Sequence, residues 1–228
     1  MSVVSADELR CSSARRDIRL LFVLDKARPG QRFFPLDRLR TYLTREKVAW
    51  LLQCPCTTCK KHHAVFRRNV SPIELLDQIV GPENEPDAVY NPSKSSFALF
   101  ALLIFIEYPL LVRGFLMRSC RDIFLENRSA SSFSPQILKD YCREFAEREG
   151  DGEFDAFAAD FTQNLPQFAI PRMNSSGYSV YSPDTILPFI NERKIGIQEP
   201  DGTVREEGAN GRVYAFEIYE EYRQFPVG

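Results

Sequence analysis

The chain of 228 residues contains only two histidines, one tryptophan and three methionines, and it has no apolar run long enough to cross a membrane. The longest such run, Phe97 to Ile106, is about half of the roughly 20 residues that a spanning helix needs. The first residues, MSVVSADELR, carry acidic side chains where a secretory signal has a basic start and an apolar run. We therefore expect an intracellular protein, cytoplasmic or nuclear, that does not enter a membrane.

The sequence also lacks internal repeats and low-complexity segments. Hydrophobic residues at 44% and charged residues at 26% lie in the ordinary globular range, which predicts a packed core rather than disorder. Six cysteines in a chain without an export signal are expected to stay reduced, because cytosolic thiol buffers oppose disulfides. We therefore expect no structural disulfides.

Charge is divided unevenly along the chain. Residues 1–72 hold 15 Lys and Arg against 6 Asp and Glu, whereas residues 73–228 hold 14 against 25. An anionic partner for the first part is one interpretation, and attraction between two parts of one fold is the other. The second is favoured because the basic residues are scattered among apolar ones, so nucleic acid is not an expected partner.

Apolar periodicity predicts a mainly α-helical, multi-helix globular domain over residues 18–173, after a flexible tail at 1–17. Ser71-Pro72 and Ser134-Pro135 are helix starts, since serine caps free amides and proline fits the first helical position, and Thr44 is the N-cap of the helix at Arg45–Leu52. Pro109 is expected to interrupt the apolar centre because it lacks an amide hydrogen. The predicted helices begin at Ile18, cover Leu36–Leu43, Arg45–Leu52, Ile73–Val80, Phe97–Ile106 and Leu110–Leu125, run from Ser134 to Gly150, and end with Phe154–Leu165.

Residues 174–228 have a different character and predict a small C-terminal β-hairpin. Ile186 to Ile197 is rich in β-formers, and Arg212 to Ile218 alternates between two faces. Asp201-Gly202 offers a hairpin turn between them.

The first candidate site is the cysteine and histidine cluster that follows the Arg45–Leu52 helix. Cys56 and Cys59 have the two-residue gap that lets both sulfurs face one zinc ion, and Cys54 and His62 complete a four-ligand set. The alternatives are a loop with small apolar thiols tucked beneath it, or a nucleophilic cysteine activated by a nearby histidine. The zinc interpretation predicts a structural rather than a catalytic ion.

The second candidate is a glycine-containing loop before the last strand. Glycines let backbone amides approach phosphate oxygens, and a valine two residues later can cover an adenine ring. The candidate nucleotide-binding residues are Gly196, Gly208, Gly211 and Val213. An ordinary turn leading into a strand is the alternative.

Three short motifs in this region together resemble a group of filamentous-fungal proteins. They are Asp184-Thr-Ile-Leu-Pro-Phe189, Lys194-Ile-Gly196 and Gly208-Ala-Asn-Gly211-Arg-Val-Tyr214. In those proteins a helical N-terminal region runs directly into a protein-kinase domain. Earlier segments also resemble the family, namely Arg32–Arg40, Phe97–Ile106 and Phe161–Pro171. The resemblance implies that residues 174–228 are the incomplete start of a kinase N-lobe.

Departures from the family bear on activity. Eleven residues separate Gly196 from Gly208 where the kinase loop would allow one, and Glu206 would repel phosphate. The sequence has no His-Arg-Asp and no Asp-Phe-Gly, which phosphoryl transfer requires. We therefore predict a noncatalytic helical interaction or regulatory module that acts on a protein partner. A kinase fragment with a residual ATP loop, and a zinc-stabilised or anion-binding interaction protein, are the alternatives.

Overall fold

The computed structural model describes residues 10–24, 32–65, 71–81, 91–126, 133–174, 185–195, 197–198, 204–205 and 213–224. Within these residues the protein is mainly helical, as predicted, with short paired strands. The helices are α1 (Arg10–Ile18), α2 (Leu36–Tyr42), α3 (Arg45–Leu52), α4 (Thr57–Val65), α5 (Pro72–Val80), α6 (Phe97–Phe105), α7 (Val112–Met117), α8 (Asp122–Glu126), α9 (Pro135–Tyr141), α10 (Arg143–Glu149) and α11 (Asp151–Asn164). The strands are β1 (Val23–Leu24), β2 (Arg32–Phe33), β3 (Met173–Asn174), β4 (Phe189–Ile195), β5 (Ile197–Gln198), β6 (Val204–Arg205), β7 (Val213–Ile218) and β8 (Arg223–Gln224).

Helix α6 forms the centre of the core, and all of its side chains are buried. Helices α1, α2, α5, α8 and α11 contact it. The carboxylate of Asp122, which is 1% exposed, accepts hydrogen bonds from the backbone N–H of Ala98 at 3.2 Å and of Leu99 at 3.1 Å. It therefore satisfies amides at the start of α6 that have no partner within the helix. Neither α6 nor any other helix in the described part of the chain is both long and apolar enough to span a membrane.

The predicted tail at 1–17 is wrong over its second half, where the structure places helix α1 at Arg10–Ile18, and residues 1–9 lie outside the described residues. Ala14 and Ile18 on this helix are fully buried, and α1 packs against α6. The helix that was predicted to begin at Ile18 instead ends there. Val23–Leu24 then forms an antiparallel pair with Arg32–Phe33.

Two predicted long helices are each divided. The helix predicted over Leu110–Leu125 begins instead with a 3-10 turn at Pro109–Leu111, which is followed by α7 and α8. Between α7 and α8 lies Ser119, which has a φ of 57°. The segment from Ser134 to Gly150 is divided at Cys142 into α9 and α10. Gly114 on α7 faces the backbone of Tyr141 so closely that a Cβ would overlap its carbonyl oxygen. The missing Cβ thus permits the close approach of α7 and α9.

The predicted helix starts are confirmed at three positions. Ser71 accepts a hydrogen bond from the N–H of Ile73 at 3.3 Å, and Ser134 accepts one from Ile137 at 3.4 Å. Thr44 likewise caps α3 by accepting from the N–H of Lys47 at 3.3 Å. The side-chain oxygens replace the missing intrahelical acceptors, as the sequence indicated.

In the C-terminal region β4 pairs antiparallel with β7, and Val213 lies opposite Ile195. The predicted turn Asp201-Gly202 lies outside the described residues, but β5 and β6 on either side of it also pair antiparallel. A two-stranded antiparallel element is therefore present where the sequence predicted a β-hairpin.

The chain after β7 returns to the helical part and contacts the start of α2. The Tyr222 hydroxyl accepts a hydrogen bond from the N–H of Leu36 at 3.1 Å, and Glu221 Oε2 accepts one from the N–H of Asp37 at 2.9 Å. Tyr222 is buried and meets Phe33 edge to face at 6.2 Å between ring centroids. Burial raises the pKa of Glu221 to about 7, because the charged form loses hydration there.

Ion pairs join the basic first part of the chain to the acidic second part. Arg15 pairs with Glu107, and Arg45 pairs with Asp77. Lys61 Nζ lies 2.6 Å from Glu149 Oε2 and 2.7 Å from Glu153 Oε2. These contacts agree with the interpretation that the uneven charge attracts two parts of one fold.

Candidate metal centre

Three cysteines lie where α3 turns into α4, and a fourth approaches them from α1. Cys54 and Cys56 occupy the short connection after α3 ends at Leu52, and Cys59 lies near the start of α4. Cys11 lies in α1. The connection at 53–56 and the first turn of α4 thus bring three thiols to the first turn of α1.

The four sulfurs form one compact group. All four Sγ atoms lie within 4.8 Å of one another. Cys11 Sγ and Cys59 Sγ are 3.3 Å apart, and the N–H of Cys59 donates to Cys56 Sγ at 3.4 Å. Cys54 and Cys59 are buried, whereas Cys11 and Cys56 are partly exposed.

This spacing suits a single tetrahedral ion. Zinc–thiolate bonds of about 2.3 Å in a tetrahedron place the sulfurs about 3.8 Å apart. A multi-iron cluster needs a wider set of sulfurs, because several metals and bridging sulfides lie between its thiolates. The group therefore fits one metal ion and is too tight for an iron–sulfur cluster.

Polar contacts around Trp50 hold α1 beside the site. The Arg10 guanidinium donates to the carbonyls of Trp50 and Gln53, both at 3.3 Å, and so binds the C-terminal end of α3. It also lies 5.0 Å from the ring centre of Trp50, with Lys47 Nζ 4.3 Å from the same ring. Two cations thus contact the ring of Trp50, the only tryptophan in the chain. One of them, Arg10, immediately precedes Cys11 in α1.

The thiols influence one another's ionisation. A hydrogen bond from Cys59 lowers the pKa of Cys11 to about 7, and the same contact raises the pKa of Cys59. Burial raises the pKa of Cys54 to about 12. Without a cation the group therefore favours one thiolate and opposes further negative charge, whereas a divalent ion would compensate several thiolates.

Three of the four predicted ligands, Cys54, Cys56 and Cys59, are thus brought together, and His62 is not part of the group. The His62 ring is fully buried, stacks on Tyr108 with 5.4 Å between centroids, and meets Phe145 edge-on at 5.5 Å. It belongs to the aromatic packing between α4 and α10. The cysteine-nucleophile hypothesis required a histidine beside the thiol, and the group assembled from the described side chains, which do not include that of His63, consists of cysteines.

The fourth member, Cys11, was missed because its segment was interpreted as a tail. A signal for it exists in the sequence. Cys11, Ala14 and Ile18 are spaced i, i+3 and i+7, which is the stripe of a helix that buries one face. A helix of nine residues, most of them polar, gives a weak periodic pattern, so its tertiary contact could not be inferred.

The candidate nucleotide loop is largely outside the described residues, which include neither Gly196, Gly208 nor Gly211. Val213 is described and begins β7, paired with Ile195. Its backbone position is that of an ordinary strand start.

No protein-family model, curated protein or solved structure matches this chain. The resemblance to kinase-preceding fungal regions therefore remains a prediction.

Proposed function

We propose that this protein binds one zinc ion through Cys11, Cys54, Cys56 and Cys59, and that the ion joins α1 to the α3–α4 junction of a noncatalytic helical module. The observation that carries the proposal is the mutual approach of four sulfurs to within 4.8 Å. Random packing of four cysteines from two distant segments would not bring every pair so close.

A structural role follows from the ligand count. Structural zinc sites use four protein ligands, whereas catalytic sites keep one position for water or substrate. Here four thiolates occupy the tetrahedron. The ion would then crosslink segments that are 48 positions apart, as measured between Cys11 and Cys59.

The ligand chemistry favours zinc over other common ions. Calcium and magnesium prefer oxygen ligands, and four soft thiolates in a tetrahedral set select zinc or a similar soft ion. Zinc also has no redox chemistry of its own, which suits a structural crosslink.

Metal content is the first test. Protein expressed with zinc and passed through a desalting column is expected to carry one zinc per chain by plasma mass spectrometry. Replacement by cobalt should give the intense visible absorption of a tetrahedral tetrathiolate site. Cys11→Ser and Cys59→Ser are expected to lose the ion or this spectrum, since each removes one of four thiolates.

Two matched variants distinguish the proposed set of four cysteines from other possible ligands. His62→Phe keeps a flat ring for the stack on Tyr108 and should leave both zinc content and cobalt spectrum unchanged. Cys120→Ala removes a buried thiol outside the group and should do the same. A wild-type protein without bound zinc, or loss of the ion in His62→Phe but not in Cys11→Ser, would contradict the proposed site.

We propose the interaction role because the closed ligand set supports a scaffold and the sequence holds no assembled kinase motifs. The rival is a kinase fragment with a residual ATP loop around Gly208 and Gly211. Calorimetric titration with Mg-ATP discriminates them, with no heat of binding expected from the module. Micromolar affinity would favour the fragment.

A further inference from the structure

The sulfurs of Cys11 and Cys59 are in van der Waals contact, at 3.3 Å. A disulfide has an S–S bond of about 2.05 Å, so small side-chain rotations suffice to join them. Cys11 lies on α1 and Cys59 on α4, and the Arg10 guanidinium holds α1 against the C-terminal end of α3 beside them. Cys11 also contacts the thiols of Cys54 and Cys56, but its hydrogen bond with Cys59 has the largest effect on the pKa of the Cys11 thiol.

The rival pairs are less well placed. Cys56 and Cys59 have a spacing that permits a disulfide, but Cys56 Sγ accepts the N–H of Cys59 at 3.4 Å and so satisfies an amide at the start of α4. Pairing those two sulfurs would break that contact. Cys54 and Cys56 are separated by one residue, which forces a strained ring on the backbone.

Exposure assigns a separate role to each sulfur of the contacting pair. Cys11 is partly exposed and Cys59 is 0% exposed. A small oxidant from solvent therefore reaches Cys11 first. Cys59 lies behind it as the resolving thiol, shielded from direct oxidation.

We infer that Cys11 and Cys59 form a reversible disulfide when the metal site is empty, with a peroxide as oxidant, and that this disulfide and zinc exclude each other. The metal-release part rests on the proposed zinc site, whereas the disulfide rests on the sulfur geometry alone. Once two sulfurs are joined, only Cys54 and Cys56 remain as thiolate ligands. Two thiolates do not complete a tetrahedral site.

The chemistry balances with one hydrogen peroxide. The sulfur of Cys11 attacks one peroxide oxygen, the O–O bond breaks, and a first water leaves after proton transfer, giving a sulfenic acid. The sulfur of Cys59 then attacks that of Cys11, the S–O bond breaks, and a second water leaves. Two thiols are oxidised to one disulfide while one peroxide is reduced to two waters, and a dithiol reductant reverses the change.

The test uses the full chain, stripped of metal by a chelator and treated with hydrogen peroxide. Peptide mapping under nonreducing conditions is expected to find the Cys11–Cys59 linkage, with the mass of the chain lowered by two hydrogens. Zinc binding should then be lost, and dithiothreitol should restore it. Zinc-loaded protein should oxidise more slowly, because the ion holds the thiolate lone pairs.

Cys11→Ser should not form the linkage, whereas Cys142→Ser, which alters a buried thiol outside the group, should form it like wild type. A Cys56–Cys59 linkage as the main product, or conversion of Cys11 to sulfonic acid without any linkage, would overturn the inference. If the linkage forms but reduced protein never binds zinc, the proposed function fails and the disulfide stands. If zinc binds and the linkage is absent, the reverse holds.

Discussion

Removal of the Cys11 thiol tests whether a metal crosslink stabilises the fold. In the proposed site this cysteine is the only ligand from α1, and the other three lie within six residues of one another at 54–59. Cys11→Ser therefore removes the one ligand through which the ion would be joined to the N-terminal helix. Cys11→Ser should therefore be less stable than wild type when zinc is present, and about as stable as wild type when both are free of metal.

The size of the effect follows from the loop that the ion closes. Cys11 and Cys59 are 48 positions apart, and crosslinking a loop of that length lowers the entropy of the unfolded chain by an amount equivalent to about 4 kcal/mol at 25 °C. For a chain of this size each kcal/mol shifts the melting temperature by about 2–4 °C. We therefore expect Cys11→Ser with zinc in the buffer to melt about 8–16 °C below zinc-loaded wild type.

The assay compares four samples, namely wild type and Cys11→Ser, each with zinc and with chelator. Thermal unfolding is followed by circular dichroism, and docking of α1 by the fluorescence of Trp50. This residue is the only tryptophan and contacts Arg10 at 5.0 Å from its ring centre, so release of α1 should expose it and shift its emission to longer wavelength. Chelation should destabilise wild type strongly and Cys11→Ser little.

The control is Cys142→Ser, which alters a fully buried thiol outside the group. It should lower stability by the same amount with zinc and with chelator, because its cost does not depend on the ion. The crosslink explanation would be refuted if chelation left the melting of wild type unchanged. It would equally be refuted if Cys11→Ser destabilised the chelated protein as much as the zinc-loaded one.

Three further predictions concern packing and ionisation elsewhere in the fold. Asp122→Ala removes the buried acceptor for two α6 amides and should lower the free energy of unfolding by about 1–3 kcal/mol in denaturant titrations, whereas exposed Asp155→Ala should change it little. Gly114→Ala places a methyl group against a backbone carbonyl and should cost about 1–3 kcal/mol, whereas Gly152→Ala has open space in a helix and should be neutral or stabilising; equal effects would contradict the proposed close approach. Glu221 has a pKa of about 7 in the folded protein against 4.5 for the unconstrained group, so the folded protein holds the Glu221 proton more tightly than the unfolded chain does. The stability that comes from this proton is complete below about pH 4.5 and is lost as the pH rises to about 7. Relative to the Glu221→Gln variant, wild type should lose roughly 1–3 kcal/mol across that window and nothing further above it, and an equal pH dependence in both would contradict this.

Local signals in the sequence were sufficient for several helix starts and for the central helix. Ser71, Ser134 and Thr44 cap helices as their positions indicated, because a cap requires only a side-chain oxygen and amides two or three residues away. The run around Leu102 was predicted as a buried helix because its composition leaves no polar face. These features depend on neighbours in the sequence and so can be inferred from it.

The division of longer helices could not be inferred in the same way. The break at Cys142 has no proline or glycine to mark it, and it coincides with the close contact between α7 and α9 at Gly114. Packing between elements that are distant in sequence overrides local helix propensity there. The α1 helix is a similar case, since its stability comes from Ala14 and Ile18 against α6.

By itself, then, the sequence determined a mainly helical fold, its apolar centre, several helix starts, a C-terminal antiparallel strand pair and a metal-binding spacing at Cys54, Cys56 and Cys59. Only the tertiary structure decided which residue joins those three, because the fourth cysteine comes from 43 positions away and His62, the nearer choice, is packed among aromatic rings instead. The physical reason is that helix geometry fixes the relative positions of residues that are close to one another in the sequence. Contacts between distant segments depend on how several helices pack around α6, and no local pattern encodes that arrangement.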